Sequence, residues 1–236
     1  MKTTKTHVYF WGGPYSQWFK SPFTENGKIF LTAEHYMMYH KALLFDPSKA
    51  NQVFGIKDPK QVKALGRSLN NFNKDIWDAN CMKIVTQGNY LKFTQNKTLL
   101  KQMLSDNPKM LVEASPVDTI WGVGLHFDDP LILNKANWRG ENKLGQCLVQ
   151  AREQIKREKA LKITKNLVIE NLCVYNEKGK LHIIDIKDGM FSVDPRTDGT
   201  IVPTQTLQSV YIDSNEIVLT GTNNKEYIYQ CLNSQD

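Results

Sequence analysis

The sequence predicts an α+β chain: a mixed, helix-rich domain over residues 1–160, followed by a small all-β unit over 161–236. Three observations carry that expectation. Before residue 160, apolar residues recur at helical spacing in several segments, with short strand-like runs between them. After Lys162 the texture changes to β-branched and aromatic runs separated by turns. The charge divides at nearly the same place: through residue 158 there are 22 Lys and Arg against 14 Asp and Glu, and beyond it 8 against 10. With 236 residues, of which 41% are hydrophobic, the chain can fill one large core or two smaller ones.

Taken in order, the apolar run Val8 to Trp11 stops at Gly12-Gly13-Pro14, the punctuation of a strand entering a turn. Asn26-Gly27 is a hairpin turn feeding a strand at Lys28-Ile29-Phe30, and Thr32 offers a hydroxyl cap to a helix over residues 33–44. Pro59 marks the first turn of another helix. The longest helical pattern runs from Ile76 through Trp77, Met82, Val85 and Tyr90 to Phe93, and a shorter one covers Leu99 to Leu104. Met110 to Ala114 reads as a strand, and Leu144 to Lys159 as the last helix, with Leu148, Ala151 and Ile155 on one face. In the second unit the strands are Leu167 to Tyr175, Lys180 to Ile186, Leu207 to Ile212, Glu216 to Leu219 and Lys225 to Cys231. Their turns are Asn176-Glu177-Lys178-Gly179, Asp198-Gly199 and Thr222-Asn223-Asn224.

Composition narrows the function classes. No stretch approaches the roughly 18 apolar residues of a membrane span, and Met1-Lys2-Thr3-Thr4-Lys5-Thr6 lacks the apolar core of a signal peptide, so a cytoplasmic chain without membrane contact is expected. The cysteines Cys81, Cys147, Cys173 and Cys231 are scattered and form no ligand-spaced pair, which predicts reduced thiols, no disulfide framework and no metal site. The basic surplus of the first segment suits an anionic partner such as a nucleotide or nucleic acid, and equally a solvated surface.

Two clusters could carry chemistry. In Thr32-Ala33-Glu34-His35-Tyr36-Met37-Met38-Tyr39-His40-Lys41, helical geometry puts Glu34 and Lys41 on one face, roughly 10 Å apart along the axis. Met37 and Met38 lie between them, so this face is apolar at its centre and would shift the pKa of any group it buries. A carboxylate and an amine could flank one ligand there. The competing reading is a first-turn acid that complements the helix dipole and a lysine in solvent. His35 and His40 diverge on the helix, which argues against a two-histidine metal site. The second cluster is Asp118-Thr119-Ile120-Trp121-Gly122-Val123-Gly124 with Asn137-Trp138-Arg139-Gly140-Glu141-Asn142. Its glycines would let backbone N–H groups approach a ligand, the helix near Leu144 would aim its positive end at a phosphate, and Arg139 could add a bidentate contact. A pair of turns with tryptophans filling the core fits these residues as well.

In order along the chain, Tyr15-Ser16-Gln17-Trp18-Phe19, Thr32-Ala33-Glu34-His35-Tyr36 with Lys41, Gly66-Arg67, Trp77, Leu111-Val112-Glu113, Asp118 to Gly124 and Trp138-Arg139-Gly140-Glu141-Asn142-Lys143-Leu144-Gly145 resemble the NADAR family of N-glycosidases, over about residues 8–157. Members cleave N-glycosidic bonds. Some act on phosphorylated pyrimidine or pyrimidinone intermediates of riboflavin synthesis; others remove ADP-ribose from guanine, in some cases as antitoxins to a DNA-modifying toxin. The resemblance implies Glu34 and Lys41 as catalytic residues. It implies Ser16, Arg67, Trp77, Asp118, Trp121, Gly122, Gly124, Arg139, Gly140 and Asn142 as substrate-binding residues, with no cofactor. Val123 stands where riboflavin-type members resemble Trp-Gly-Asp-Gly, which points to ADP-ribosylated nucleic acid or an ADP-ribose-containing nucleotide as the partner. The resemblance does not reach residues 160–236.

Overall fold

Thr32 does for the first long helix what a hydroxyl ahead of an apolar run should do: extended itself, it accepts the backbone N–H of His35 at 3.3 Å and starts α1 (Ala33–Phe45). That description comes from a computed structural model, which describes residues 1–175, 181–194, 202–212, 216–222 and 226–231. Ahead of α1 lie β1 (Lys2–Thr3), β2 (His7–Phe10) and the hairpin β3 (Phe23–Glu25) with β4 (Lys28–Phe30), turned through Asn26 and Gly27, both at positive φ. Pro47 and Pro59 open α2 (Pro47–Ala50) and α3 (Pro59–Arg67), where a missing N–H costs nothing. Asn73 caps α4 (Lys74–Gln95), and α5 (Lys97–Ser105) follows. Next come β5 (Met110–Glu113), two short 3-10 turns and α6 (Lys143–Asn166).

β5 lies parallel to β2, with Tyr9 opposite Val112 and Phe10 opposite Glu113, in a sheet ordered β1-β2-β5. The main core gathers Phe10, Tyr15, Phe30, Tyr36, Val85, Phe93, Leu111, Leu148 and Ile155 around α1. Nine of the 13 residues of α1 are buried, so this helix is enclosed on most sides. Its approach to α3 requires Gly66, where a Cβ would sit 2.0 Å from the Met38 sulfur.

The chain divides into compact units at Ile155/Lys156, within α6. The second unit is a closed antiparallel barrel of β6 (Ile169–Tyr175), β7 (Leu181–Lys187), β8 (Met190–Asp194), β9 (Val202–Ile212), β10 (Glu216–Gly221) and β11 (Glu226–Cys231). Strand alternation fills it: His182, Ile184 and Ile186 of β7 face inward with Phe191, Val193, Ile217, Leu219 and Tyr229. Closure leaves no strand edge unpaired.

The α+β class with a β-rich end is what the sequence predicts. Three details differ. β8 was not expected, β1 is too short to show a pattern, and α6 continues to Asn166 rather than stopping at Lys159. The turns expected at Asn176–Gly179 and Asp198–Gly199 lie outside the described residues, as do Asn223 and Asn224. Cys81, Cys147 and Cys173 are free thiols.

Among the described residues, the buried clusters of the first unit contain none beyond Ile155, and that of the barrel none before Leu167. A chain ended after Arg157 should therefore melt in one cooperative transition by calorimetry. A broad, non-cooperative melt would mean that the truncated core needs the barrel.

Candidate functional site

A cavity of about 740 Å³ opens on the face of α1 that carries Glu34, Met37, Met38 and Lys41, the i, i+3, i+4, i+7 positions of one helical stripe. α3 adds Lys63, Gly66 and Arg67, and α4 adds Trp77. The loop after β2 contributes Trp11, Gly12, Ser16, Gln17 and Trp18; the end of β5 and the turn beyond it give Glu113, Ser115, Val117, Asp118, Ile120 and Trp121. Lys41 and Glu34 thus reach the same space as Arg67, Trp77, Ser16, Asp118 and Trp121.

The loop is clamped from behind by α4. Lys92 is completely buried and donates through Nζ to the Ser16 carbonyl at 2.9 Å, while Asn89 donates to the Gln17 side chain at 3.1 Å. The Gln17 carbonyl in turn accepts the Glu34 N–H at 3.0 Å, so loop and helix start are locked together. Burial alone pushes the Lys92 ammonium down to about 7.

Glu34 is 5% exposed. Burial raises its carboxyl to about 7 from an ordinary 4.5; the Lys63 charge and a Trp18 side-chain hydrogen bond hold it down, Asp118 pushes it up, and Lys41 holds it down further. Lys41 is partly buried. Its Nζ donates to the Gly66 carbonyl at 2.9 Å and lies 4.5 Å from the Phe72 ring centre and 5.4 Å from that of Trp77. Burial lowers its pKa, the Glu34 charge raises it and Arg67 lowers it. Near neutral pH the site therefore holds a carboxyl that can give or take a proton, beside an amine whose pKa burial lowers from its ordinary value.

Gly122, Gly124, Arg139, Gly140 and Asn142, expected from sequence to bind substrate, are not among the residues that line the cavity. Their contacts join turns of the fold. Asn142, at φ 55, donates to the Leu111 carbonyl at 3.0 Å and accepts the Glu113 N–H at 3.0 Å, stitching the end of β5 to the start of α6. Gly140 lets two turns touch: a Cβ there would be 2.3 Å from the Gly122 carbonyl. Gly124 lies against Arg139, whose own N–H is taken by the Val123 carbonyl at 2.9 Å and whose side chain is exposed. Trp138 donates to the Ile132 carbonyl at 2.8 Å and packs on the small core around Tyr9 and Val112. Val123 is fully buried in that core, so its difference from an acid alters packing and not the cavity wall. Asp118 has two duties, lining the cavity and capping its turn through the N–H groups of Ile120 and Trp121 at 3.0 and 2.8 Å.

Sequence reasoning gave no role to Lys63, Trp11, Trp18, Lys92 or Glu113. The signal for Lys92 was a lysine inside the apolar pattern Tyr90-Leu91-Phe93, and for Glu113 an acid ending a buried run. His35 and His40 serve the fold: His35 bonds Thr32 and the Ile56 carbonyl, and His40 faces Glu25 at 3.3 Å. Among the described residues no group of three or more His, Cys, Asp or Glu is placed to hold a metal ion. No helix among them is long and apolar enough to cross a membrane.

A fold of this kind, with a buried carboxylate and a lysine on one central helix facing an aromatic cavity, defines a class that comparison identifies. Residues 9–156 match the NADAR domain, and the chain belongs to that family. Among its relatives, N-glycosidase R617 of Acanthamoeba polyphaga mimivirus is 42% identical over 168 residues, covering 65% of this chain and 98% of the relative. N-glycosidase YbiA of Escherichia coli is 27% identical over 147 residues, covering 62% and 84%. The NMR structure of the Escherichia coli protein YbiA superposes with a TM-score of 0.55 at 25% identity, covering 67% of this chain and 89% of that one.

Two stability predictions follow from this geometry. A carboxyl raised from 4.5 to about 7 means that the native state binds more protons than the unfolded chain between those values, so its contribution to stability falls as pH rises through that window. Glu34→Gln removes the penalty, on the order of 3 kcal/mol at pH 8. Its melting midpoint should exceed that of the unaltered protein by several degrees at pH 8 and match it at pH 4. Asn142→Ala loses two buried hydrogen bonds at positive φ and should cost about 2–4 kcal/mol. Read by denaturant titration, a cost below about 0.5 kcal/mol would contradict the stitching role.

Proposed function

We propose that this chain is an N-glycosidase that hydrolyses the bond between ADP-ribose and a nucleobase, and that the base is guanine in nucleic acid. The observation that carries this is the convergence of Glu34 and Lys41 on one cavity whose walls include Trp11, Trp18, Trp77 and Trp121. Aromatic faces stack a base, and Lys63 and Arg67 offer cations to a diphosphate. The names of the mimivirus and bacterial relatives support the bond type. A base still attached to a polymer is favoured by how open the lining is: Trp11, Trp18, Ile120 and Val117 are 50%, 43%, 52% and 84% exposed. The basic first segment, with 22 cationic against 14 anionic side chains, adds long-range attraction to a polyanion.

In the reaction, C1 of a ribose held through an exocyclic amine is an aminal carbon. Its ring oxygen leaves C1 with a proton supplied by Glu34, and the amine lone pair closes an imine. The neutral Lys41 nitrogen adds to C1. The base then departs with the C1–N electron pair and a proton returned through Glu34, leaving a lysine Schiff base that water hydrolyses to free sugar and amine. The rival route has Glu34 take a proton from water as the oxygen attacks C1, with Lys41 acting only as a charge.

Two results test this. An ADP-ribosylated guanine oligonucleotide should yield free ADP-ribose faster than a panel of free nucleotides does; the reverse order would assign a small nucleotide as substrate. Borohydride added during turnover should fix one sugar on Lys41, and a protein that turns over without trapping follows the water route. Glu34→Gln should lose about a hundredfold in rate on either route. On the lysine route Glu34 must first be protonated, so the rate should fall as pH rises through about 7; on the water route it must be ionised, and the rate should rise there.

A further inference from the structure

A second carboxylic acid faces the cavity and has no part in the reaction as written so far. Glu113 ends β5, lines the cavity, and has a buried Oε2 with no hydrogen-bond partner among the described residues. Its backbone is held at the edge of the cavity. The Glu113 N–H is held by the Asn142 side chain at 3.0 Å, its carbonyl accepts the Val123 N–H at 3.0 Å, and the strand is paired with Phe10 of β2. An acid fixed in this way, with one oxygen shielded and unbonded, is costly to keep as a bare anion. It is inexpensive to keep as a neutral O–H that awaits an acceptor.

We propose that Glu113 is a second acid of the site, a neutral carboxyl whose O–H donates a hydrogen bond to an acceptor atom of the departing base. This rests on the N-glycosidase reading above. As the C1–N bond breaks, its electron pair moves onto the base and negative charge builds on the base's acceptor atoms. A donor aimed there stabilises that charge without giving up its proton, so the carboxyl ends the step as it began. The surroundings favour the neutral form: burial, Asp118 and Glu34 raise its pKa, Lys63 opposes, and together they bring it to about 8. The remaining cations of the cavity are Lys41 and Arg67, and the groups that hold its backbone, Phe10 and Asn142, do not ionise. The two acids divide the labour, Glu34 moving protons and Glu113 donating without release.

The test uses the full-length protein with ¹³C-labelled glutamate. The carboxyl resonance that disappears in Glu113→Gln should titrate near pH 8 in the unaltered protein, a measurement that needs no substrate. With the ADP-ribosylated oligonucleotide, Glu113→Leu should lose about a hundredfold in rate. Glu113→Gln, which still carries a donor, should recover to within about tenfold of the unaltered protein and should lose the fall in rate between pH 7 and 9. A resonance titrating below pH 5, equal losses in the Gln and Leu variants, or a fully active Leu variant would each overturn the proposal. If the unaltered protein releases no base, the N-glycosidase reading fails and the donor role fails with it. A titration near pH 8 in that same sample would place the fault in the substrate and not in the state of the carboxyl.

Discussion

Everything at the site depends on holding the Glu34 carboxyl in the first turn of a helix that has almost no solvent around it. α1 is sealed by β4, α3 and α4, and Glu34 itself is 5% exposed. A side chain on the outer face of such a helix would solvate its charge and titrate as an ordinary acid. Here the backbone N–H of Glu34 is bound to the Gln17 carbonyl, and Thr32 and His35 fix the turn on both sides of it. The carboxyl therefore meets the cavity or nothing. The favourable helix-dipole position compensates only part of the desolvation cost, which is why the acid remains poised near neutrality.

The cations around it come from an equally tight constraint. α3 approaches α1 closely enough that a Cβ at position 66 would meet the Met38 side chain, and the contact sets Lys63 and Arg67, one helical turn apart, along the cavity. The same contact gives Lys41 its acceptor, the Gly66 carbonyl. A side chain at 66 would force Met38, itself part of the cavity lining, to shift. Packing and electrostatics are thus one requirement here, because the close approach that fills the core also positions the charges.

How far the sequence revealed this differs by level. The helices of the first unit were legible because each carries local punctuation: Thr32, Pro59 and Asn73 are caps or first-turn residues whose chemistry acts over three or four residues. Glu34 and Lys41 were legible because helical periodicity alone places them on one face. β8 escaped although Asp188 and Gly189, both at positive φ, form the Asp-Gly turn of a hairpin; its own run Met190-Phe191-Ser192-Val193 is only four residues long. Asn142, Arg139 and Gly140 looked like a ligand loop because glycines beside a helix start serve phosphates in many proteins. The same chemistry, a side-chain amide at positive φ and a glycine at a close contact, also joins two turns, and local sequence does not distinguish the uses. Glu113 and Lys92 were hidden for the opposite reason. A charge next to apolar residues reads as the exposed edge of an element until tertiary packing closes over it.

The buried charges also explain why the site would not be chosen on stability grounds. Lys92 spends its bond on a carbonyl, Asp118 pushes the protonation of both Glu34 and Glu113 upward, Glu34 adds to that on Glu113, and every one of these groups would be easier to fold if it were neutral. Two acids raised in this way line one cavity, whereas a pair such as Lys74 with Asp78 keeps both charges in solvent, which marks the cavity as a place where the fold accepts a cost. Lys92 accounts for part of it structurally, since its bond to Ser16 holds the loop that carries Trp18 against Glu34. The carboxyls are compensated less completely: Glu34 keeps a Trp18 hydrogen bond and the Lys63 charge, while Glu113 Oε2 has no hydrogen-bond partner among the described residues, so the cost of burying two acids is concentrated at this cavity.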